Sequence, residues 1–266
     1  MPHKPYQKIV ADSPVAVLMV HGILGSPHHF DMLMPYIPAD WSVYNIVLDG
    51  HGATARDFAR TSRKKWEAQI ERVMADVCAA HAHVVVVAHS MGCMLTMNAA
   101  VKLGLEKQIS AMFFLGAALY PMCTPSIVKT AFYMLFGKPD SGDNRAKAAR
   151  LRCGTVIHRR LWEYLAWIPR FIELFALAWY TRRRVPRYEL PIVALQSWQD
   201  EVVGRRSIKP FRKNPRAKSE FLMESSHFYY APQDEKRICL VFNKTLANVI
   251  KNLQKSSVAI DKAKTF

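Results

Sequence analysis

The sequence predicts an α/β fold built on a mostly parallel central sheet flanked by helices, with a helical segment inserted in mid-chain. Three observations carry this expectation. Short β-branched runs alternate with helix-spaced segments. The run at residues 83–88, with Val84, Val85, Val86 and Val87 at its centre, is apolar without alternation, as a parallel strand buried on both faces requires. One stretch, residues 121–187, breaks the alternation with a long helical pattern rich in aromatics. The chain has 266 residues, half of them hydrophobic, enough for a large core without disulfide or metal staples. The expected organisation is a core of residues 1–120 and 188–266 with a helical cap, or lid, over 121–187.

The elements follow in order. Val15–Val20 is the first clear strand. It runs into His21-Gly22-Ile23-Leu24-Gly25-Ser26-Pro27, where glycine permits a sharp turn, Ser26 suits a helix cap and Pro27 a first helical position. Residues 42–48 form a second strand, closed by the tight turn Asp49-Gly50-His51-Gly52. Arg63–Ala80 has helical spacing, with Trp66, Ile70, Val73 and Val77 on one face. The valine run leads into His89-Ser90-Met91-Gly92, and a helix pattern over 91–103 starts at once. Residues 109–119, 191–196 and 220–223 are further strands, and 234–253 a closing helix.

The inserted stretch carries 13 Lys or Arg against 4 Asp or Glu, a surplus of nine. Its residues 161–180 have nearly the length of a membrane span, but Glu163, Pro169, Arg170 and Glu173 interrupt it. An interfacial or capping helix pair is the expectation, rather than a span. The basic run Arg182-Arg183-Arg184 that follows suits peripheral contact with anionic lipid, or a solvated helix end that favours cations.

The formal charge of +16 biases the chain toward anionic surfaces. No zinc-finger spacing, RNP-type aromatic run or Gly-x-x-Gly clamp accompanies it, so nucleic acid is not an expected partner. Five widely spaced cysteines without a Cys-x-x-Cys pair argue against a disulfide framework or zinc site and fit a reducing compartment. The first ten residues lack the apolar run of a signal peptide, which makes the cytoplasm the expected location. No cofactor or metal is expected. His28 and His29 have no carboxylate or thiolate at ligand spacing.

The chemistry centres on Ala88-His89-Ser90-Met91-Gly92. A serine hydroxyl is a weak nucleophile unless it is exposed and given a base. A sharp strand-to-helix turn does the exposing, and close chain packing there demands small residues two before and two after the serine. Ala88 departs mildly from the Gly-x-Ser-x-Gly pattern. Ser90 as a mere helix cap is the competing reading.

With these pieces in hand, the chain resembles serine hydrolases of the α/β-hydrolase fold, of the monoacylglycerol lipase and bacterial carboxylesterase type related to serine aminopeptidases. The motifs His21–Pro27, Asp49–Gly52, the Ser90 turn, Gln199-Asp200-Glu201-Val202-Val203 and Ser226-His227-Phe228 stand in the family's order. The resemblance implies His227 as the base, oriented by Asp200, with Glu201 next door as the alternative acid. It implies oxyanion donors at the Ile23 and Met91 N–H groups. His21 and His89 are candidates to line the substrate site, and Trp162, Trp167 and Phe171 to wall an apolar pocket under the cap. His89 is a rival base by proximity alone, but its side chain should point away from the serine. The expected substrate is a small hydrophobic ester. A peptidase or amidase on the same residues, and a non-catalytic binding protein of this fold, are the alternatives.

Overall fold

The computed structural model describes residues 3–123, 125, 144–154 and 161–264. Its centre is a sheet of β1 (Tyr6–Lys8), β2 (Val15–Val20), β3 (Ser42–Ile46), β4 (His83–His89), β5 (Ile109–Leu115), β6 (Ile192–Ser197) and β7 (Ala217–Leu222). The order across the sheet is β1-β3-β2-β4-β5-β6-β7. Only β1 is antiparallel to its neighbour; every other pairing is parallel. One register row runs Tyr44, Leu18, Val86, Met112, Ile192, Ala217. The functional motifs therefore follow the carboxyl ends of adjacent strands, where open α/β sheets place their ligands.

The valine run explains the two-sided burial. Val84, Val86 and Ala88 face one core, shared with Trp66, Ile70 and Met74. Val85 and Val87 face a second core, shared with Phe30, Leu33 and Phe242. Side chains alternate across a strand, so an unbroken apolar run feeds both. Among the described residues the α-helices are α1 (Ala55–Arg60), α2 (Arg63–Ala80), α3 (Met91–Lys102), α4 (Asn144–Arg152), α5 (Ile168–Arg182), α6 (Ile208–Arg212) and α7 (Pro232–Lys264).

The structure departs from expectation in places. After Pro27 the chain forms a 3-10 helix over Pro27–Tyr36 instead of an α-helix, and Ser26 makes no side-chain cap bond. Pro35 inside the segment has no N–H to give an α-helical bond. Side-chain caps occur instead at Thr54, which closes a capping box with Asp57, and at Ser62. Strand β1 is too short to show a period, and its edge position explains its exposure. The closing helix α7 starts and ends beyond the expected 234–253.

The expected cap falls partly on residues 124, 126–143 and 155–160, which lie outside the described residues. Helix α5 sits inside that stretch, yet Leu174, Leu177 and Ala178 join the core of α2 and α3. Asn98 Nδ2 donates to Thr181 Oγ1 at 2.8 Å, and the Arg63 N–H donates to Glu173 Oε2 at 2.9 Å. The second half of the stretch is thus fastened to the helical layer beside the sheet.

Candidate active site

Ser90 sits at the turn between β4 and α3 with φ 53° and ψ −116°. A non-glycine residue in this region is strained, and the fold must hold it there. It does so from both sides: the Ser90 N–H donates to the Leu115 carbonyl at 3.0 Å, and the Ala118 N–H donates to the Ser90 carbonyl at 3.3 Å. The small-residue requirement is real at Gly92, where an added Cβ would lie 2.3 Å from the Val20 carbonyl oxygen. Ala88 is fully buried, so its one methyl is accommodated.

His227 lies on the loop after β7. Its Nε2 is 3.1 Å from Ser90 Oγ, and its Nδ1 is 2.8 Å from Asp200 Oδ2. Asp200 follows β6. Its Oδ1 accepts from the Val202 and Val203 N–H groups at 2.9 and 2.7 Å, and its Oδ2 also accepts from Gln196 Nε2 at 3.1 Å. The two backbone bonds give the Asp200–Val203 motif its physical meaning: the turn folds back to fix the carboxylate. Glu201 accepts from the His227 backbone N–H at 3.2 Å and not from its ring, which separates it from the role of ring partner. Burial would lower the His227 pKa, but the charge and hydrogen bond of Asp200, with Glu201 nearby, raise it above the usual histidine value. With Nδ1–H donated to Asp200, Nε2 is free to accept the Ser90 hydroxyl proton.

The loop facing the serine is equally constrained. A Cβ at Gly22 would stand 2.6 Å from Ser90 Cβ. Among the described residues, the Ile23 and Met91 N–H groups meet no protein acceptor. Met91 opens α3, where the helix adds partial positive charge. Leu24 has φ 56°, and its N–H donates to His51 Nε2 at 3.0 Å. In return, the Leu48 N–H donates to His21 Nε2 at 3.1 Å. The two rings meet edge to face, 5.0 Å apart. Their Nδ1–H groups are taken by the Gly22 and Asp49 carbonyls. Burial lowers the His21 pKa to about 3 and the His51 pKa to about 4, so both are neutral acceptors.

His21 was expected among the substrate-lining residues, and the structure places it in this backbone lock. Both ring nitrogens are spent on backbone and the residue is fully buried, so it locks two loops together. His89 is likewise buried, with Nε2–H donated to the His227 carbonyl at 3.2 Å and its ring stacked on His29 at 3.6 Å. It supports the loop that carries His227. Of the aromatics, Trp162 is 67% exposed. Trp167 is buried, stands edge-on to Phe58 and donates Nε1–H to the Ala55 carbonyl at 2.9 Å. Phe171, on α5, is half-buried and packs against the core. Among the described residues, no hydrogen bond or ring contact joins any of the three to Ser90 or His227, and Trp167 ties its segment to α1.

Two residues that sequence reasoning passed over touch the site's loops. Arg152, at the end of α4, donates to the Phe228 carbonyl beside His227 and lies over the Tyr230 ring. The Gly154 N–H donates to the Leu24 carbonyl at 2.9 Å, and the Gly154 carbonyl accepts from the Gly52 N–H. A Cβ at Gly154 would lie 1.9 Å from the Gly25 carbonyl oxygen. Gly154 carried no local motif, because its need for glycine arises from a distant loop.

The doubly flanked parallel sheet and the strained serine turn after its central strand define the hydrolase class of α/β proteins. The chain belongs to the alpha/beta hydrolase family, whose model matches residues 17–237. A 61-residue segment is 39% identical to the thermostable monoacylglycerol lipase of Bacillus sp. (strain H-257), a match spanning 23% of this chain and 24% of that protein. Among solved structures, a lipolytic enzyme from the metagenome-derived LipS and LipT pair is similar with a TM-score of 0.70 at 21% identity, over 94% of this chain and 98% of that one. The monoacylglycerol lipase of Paleococcus ferrophilus is similar with a TM-score of 0.61 at 14% identity, over 92% and 99%. Likenesses at such identity establish the fold.

Proposed function

We propose that the protein is a serine hydrolase that cleaves carboxylic esters through an acyl-enzyme on Ser90. The observation that carries this reading is the hydrogen-bonded chain Ser90 Oγ–His227–Asp200, at 3.1 and 2.8 Å, on a strained turn. In the first step His227 Nε2 takes the Ser90 proton as Oγ attacks the ester carbonyl. Asp200 holds the ring tautomer and stabilises the imidazolium. The carbonyl oxygen, now anionic, is received by the Ile23 and Met91 N–H groups. Collapse expels the alcohol, which takes the proton from His227. A water then repeats the sequence, returning the acid and free Ser90.

Esters of apolar acids, monoacylglycerols among them, fit an aromatic-rich insertion over residues 121–187. The basic surplus of that insertion disfavours the positively charged amine of an aminopeptidase substrate. A fluorophosphonate probe should label the native protein and leave Ser90→Ala unlabelled, and p-nitrophenyl esters of rising chain length should rank acyl preference. Equal labelling of both proteins refutes the assignment. Turnover of amino-acyl amides without turnover of any ester would move the substrate to the amide class.

A further inference from the structure

The segment formed by the 3-10 turn Leu161–Trp167 and helix α5 has its polarity inverted. Its charged residues before the last turn, Glu163, Arg170 and Glu173, face the protein. Glu163 pairs with Arg56 at 3.1 Å, Arg170 donates to the Ala59 and Thr61 carbonyls and pairs with Glu173, and Glu173 accepts from the Arg63 N–H. The outward side carries apolar residues instead. Trp162, Leu165, Ile168, Ile172, Phe175 and Trp179 are 42–67% exposed, and their spacing of three or four residues puts them along one helical stripe. Between them the exposed positions are Ala166, Pro169 and Ala176, none of them charged. An ordinary surface helix shows the reverse arrangement. A contiguous apolar patch of this kind marks a contact surface and not a solvated face.

Charge complementarity says what covers it. The stripe ends in Arg182, Arg183 and Arg184, and among the described residues none of the three pairs with a carboxylate. Their guanidinium groups lie over Tyr120, Trp179 and Tyr180, respectively. Trp179 with Arg183 over its ring is an amphipathic pair suited to the boundary between headgroups and acyl chains. The helix is not a span: among the described residues, no helix is long and apolar enough to cross a membrane.

We propose that this stripe docks the protein on an anionic lipid surface, with α5 lying in the plane of the interface. The apolar side chains enter the acyl boundary, and the arginines meet the headgroup phosphates. The proposal stands on the surface alone; the ester reading adds only that such a surface holds apolar substrate.

The test uses the full chain and co-sedimentation with vesicles of phosphatidylcholine, with and without phosphatidylglycerol, at low and high salt. The native protein should bind the phosphatidylglycerol vesicles, less so in high salt. The double variant Ile172→Gln, Phe175→Gln should lose at least about ten-fold in vesicle partition, from lost apolar burial. Its melting temperature and turnover of soluble p-nitrophenyl acetate should stay native. Arg183→Ser with Arg184→Ser should lose the preference for phosphatidylglycerol. Absence of native binding to either vesicle overturns the proposal, as does binding that the apolar variant leaves intact. Concentration-dependent self-association that the apolar variant abolishes, without vesicle binding, would assign the stripe to a second copy and overturn it too. A native protein without esterase activity would remove the function proposed above and leave the vesicle result to decide this one.

Discussion

The crossed pair of His21 and His51 makes the fold sensitive to acid over a defined range. An unfolded histidine titrates near 6.5, whereas the folded pKa is about 3 for His21 and about 4 for His51. Both values are depressed, so the unfolded chain binds protons that the native state refuses. The stability these groups allow is complete above the unfolded pKa and is lost as pH falls toward the folded values. At pH 5 each uncharged ring costs roughly 2 kcal/mol relative to neutral pH, about 4 kcal/mol for the pair. His29 and His89, held well below the usual value first by burial, add in the same direction. His227, whose pKa is raised, acts oppositely: its contribution is present at low pH and fades as pH rises through the folded value. Domains have only about 5–15 kcal/mol in total, so the loss is visible. Urea or thermal melts between pH 7.5 and 5 should show the midpoint falling steeply. His51→Gln offers an oxygen to the Leu24 N–H but no titrating group, and should flatten the slope by about one proton. A midpoint constant over that range, or an unchanged slope in His51→Gln, would refute the reasoning.

Other substitutions probe the site and its supports. Asp200→Asn should lower turnover by about 10⁴-fold and move the acid limb of the pH–rate profile down, since the charge that raises the His227 pKa is gone; steady-state kinetics against pH decide it. Gly154→Ala forces a methyl against the Gly25 carbonyl, and a shift of the adjoining loop should cost about 100-fold in kcat with a smaller change in KM. A kcat equal to native would show that the loop tolerates the shift. Trp167→Ala removes a buried indole that ties the segment to α1 and should cost about 3–5 kcal/mol in denaturant unfolding, with a loss under about 1 kcal/mol counting against tight docking.

The sheet was legible because its signals are local. Four consecutive valines and the glycine-bearing turns after β2 and β4 mark a buried parallel strand and its neighbours without reference to anything distant. Ser90 was legible for the same reason, and Asp200 and His227 through motif order. What escaped depends on contacts between remote segments. His21 and His51 look like rim histidines until Leu48 and Leu24 are seen to donate to them across 27 residues. Gly154 looks like an ordinary loop glycine until Gly25 lies against it. The aromatics of the insertion read equally as pocket walls, packing or an outer surface; Trp167 and Trp162 divide between the last two. Periodicity reports that a helix has two faces, but not which face the core takes.

The close approach of Gly22 to Ser90 also restricts which reactive groups this site can exchange. A Cβ at Gly22 would lie 2.6 Å from the serine Cβ, and Ser90 is held at φ 53°, a backbone that a branched Cβ disfavours. Threonine offers the same hydroxyl with a branched Cβ on that backbone, whereas cysteine changes one atom and keeps the Cβ unbranched. If Ser90 is the nucleophile proposed above, exchange to a thiol at position 90 asks less of the backbone than exchange to a secondary alcohol.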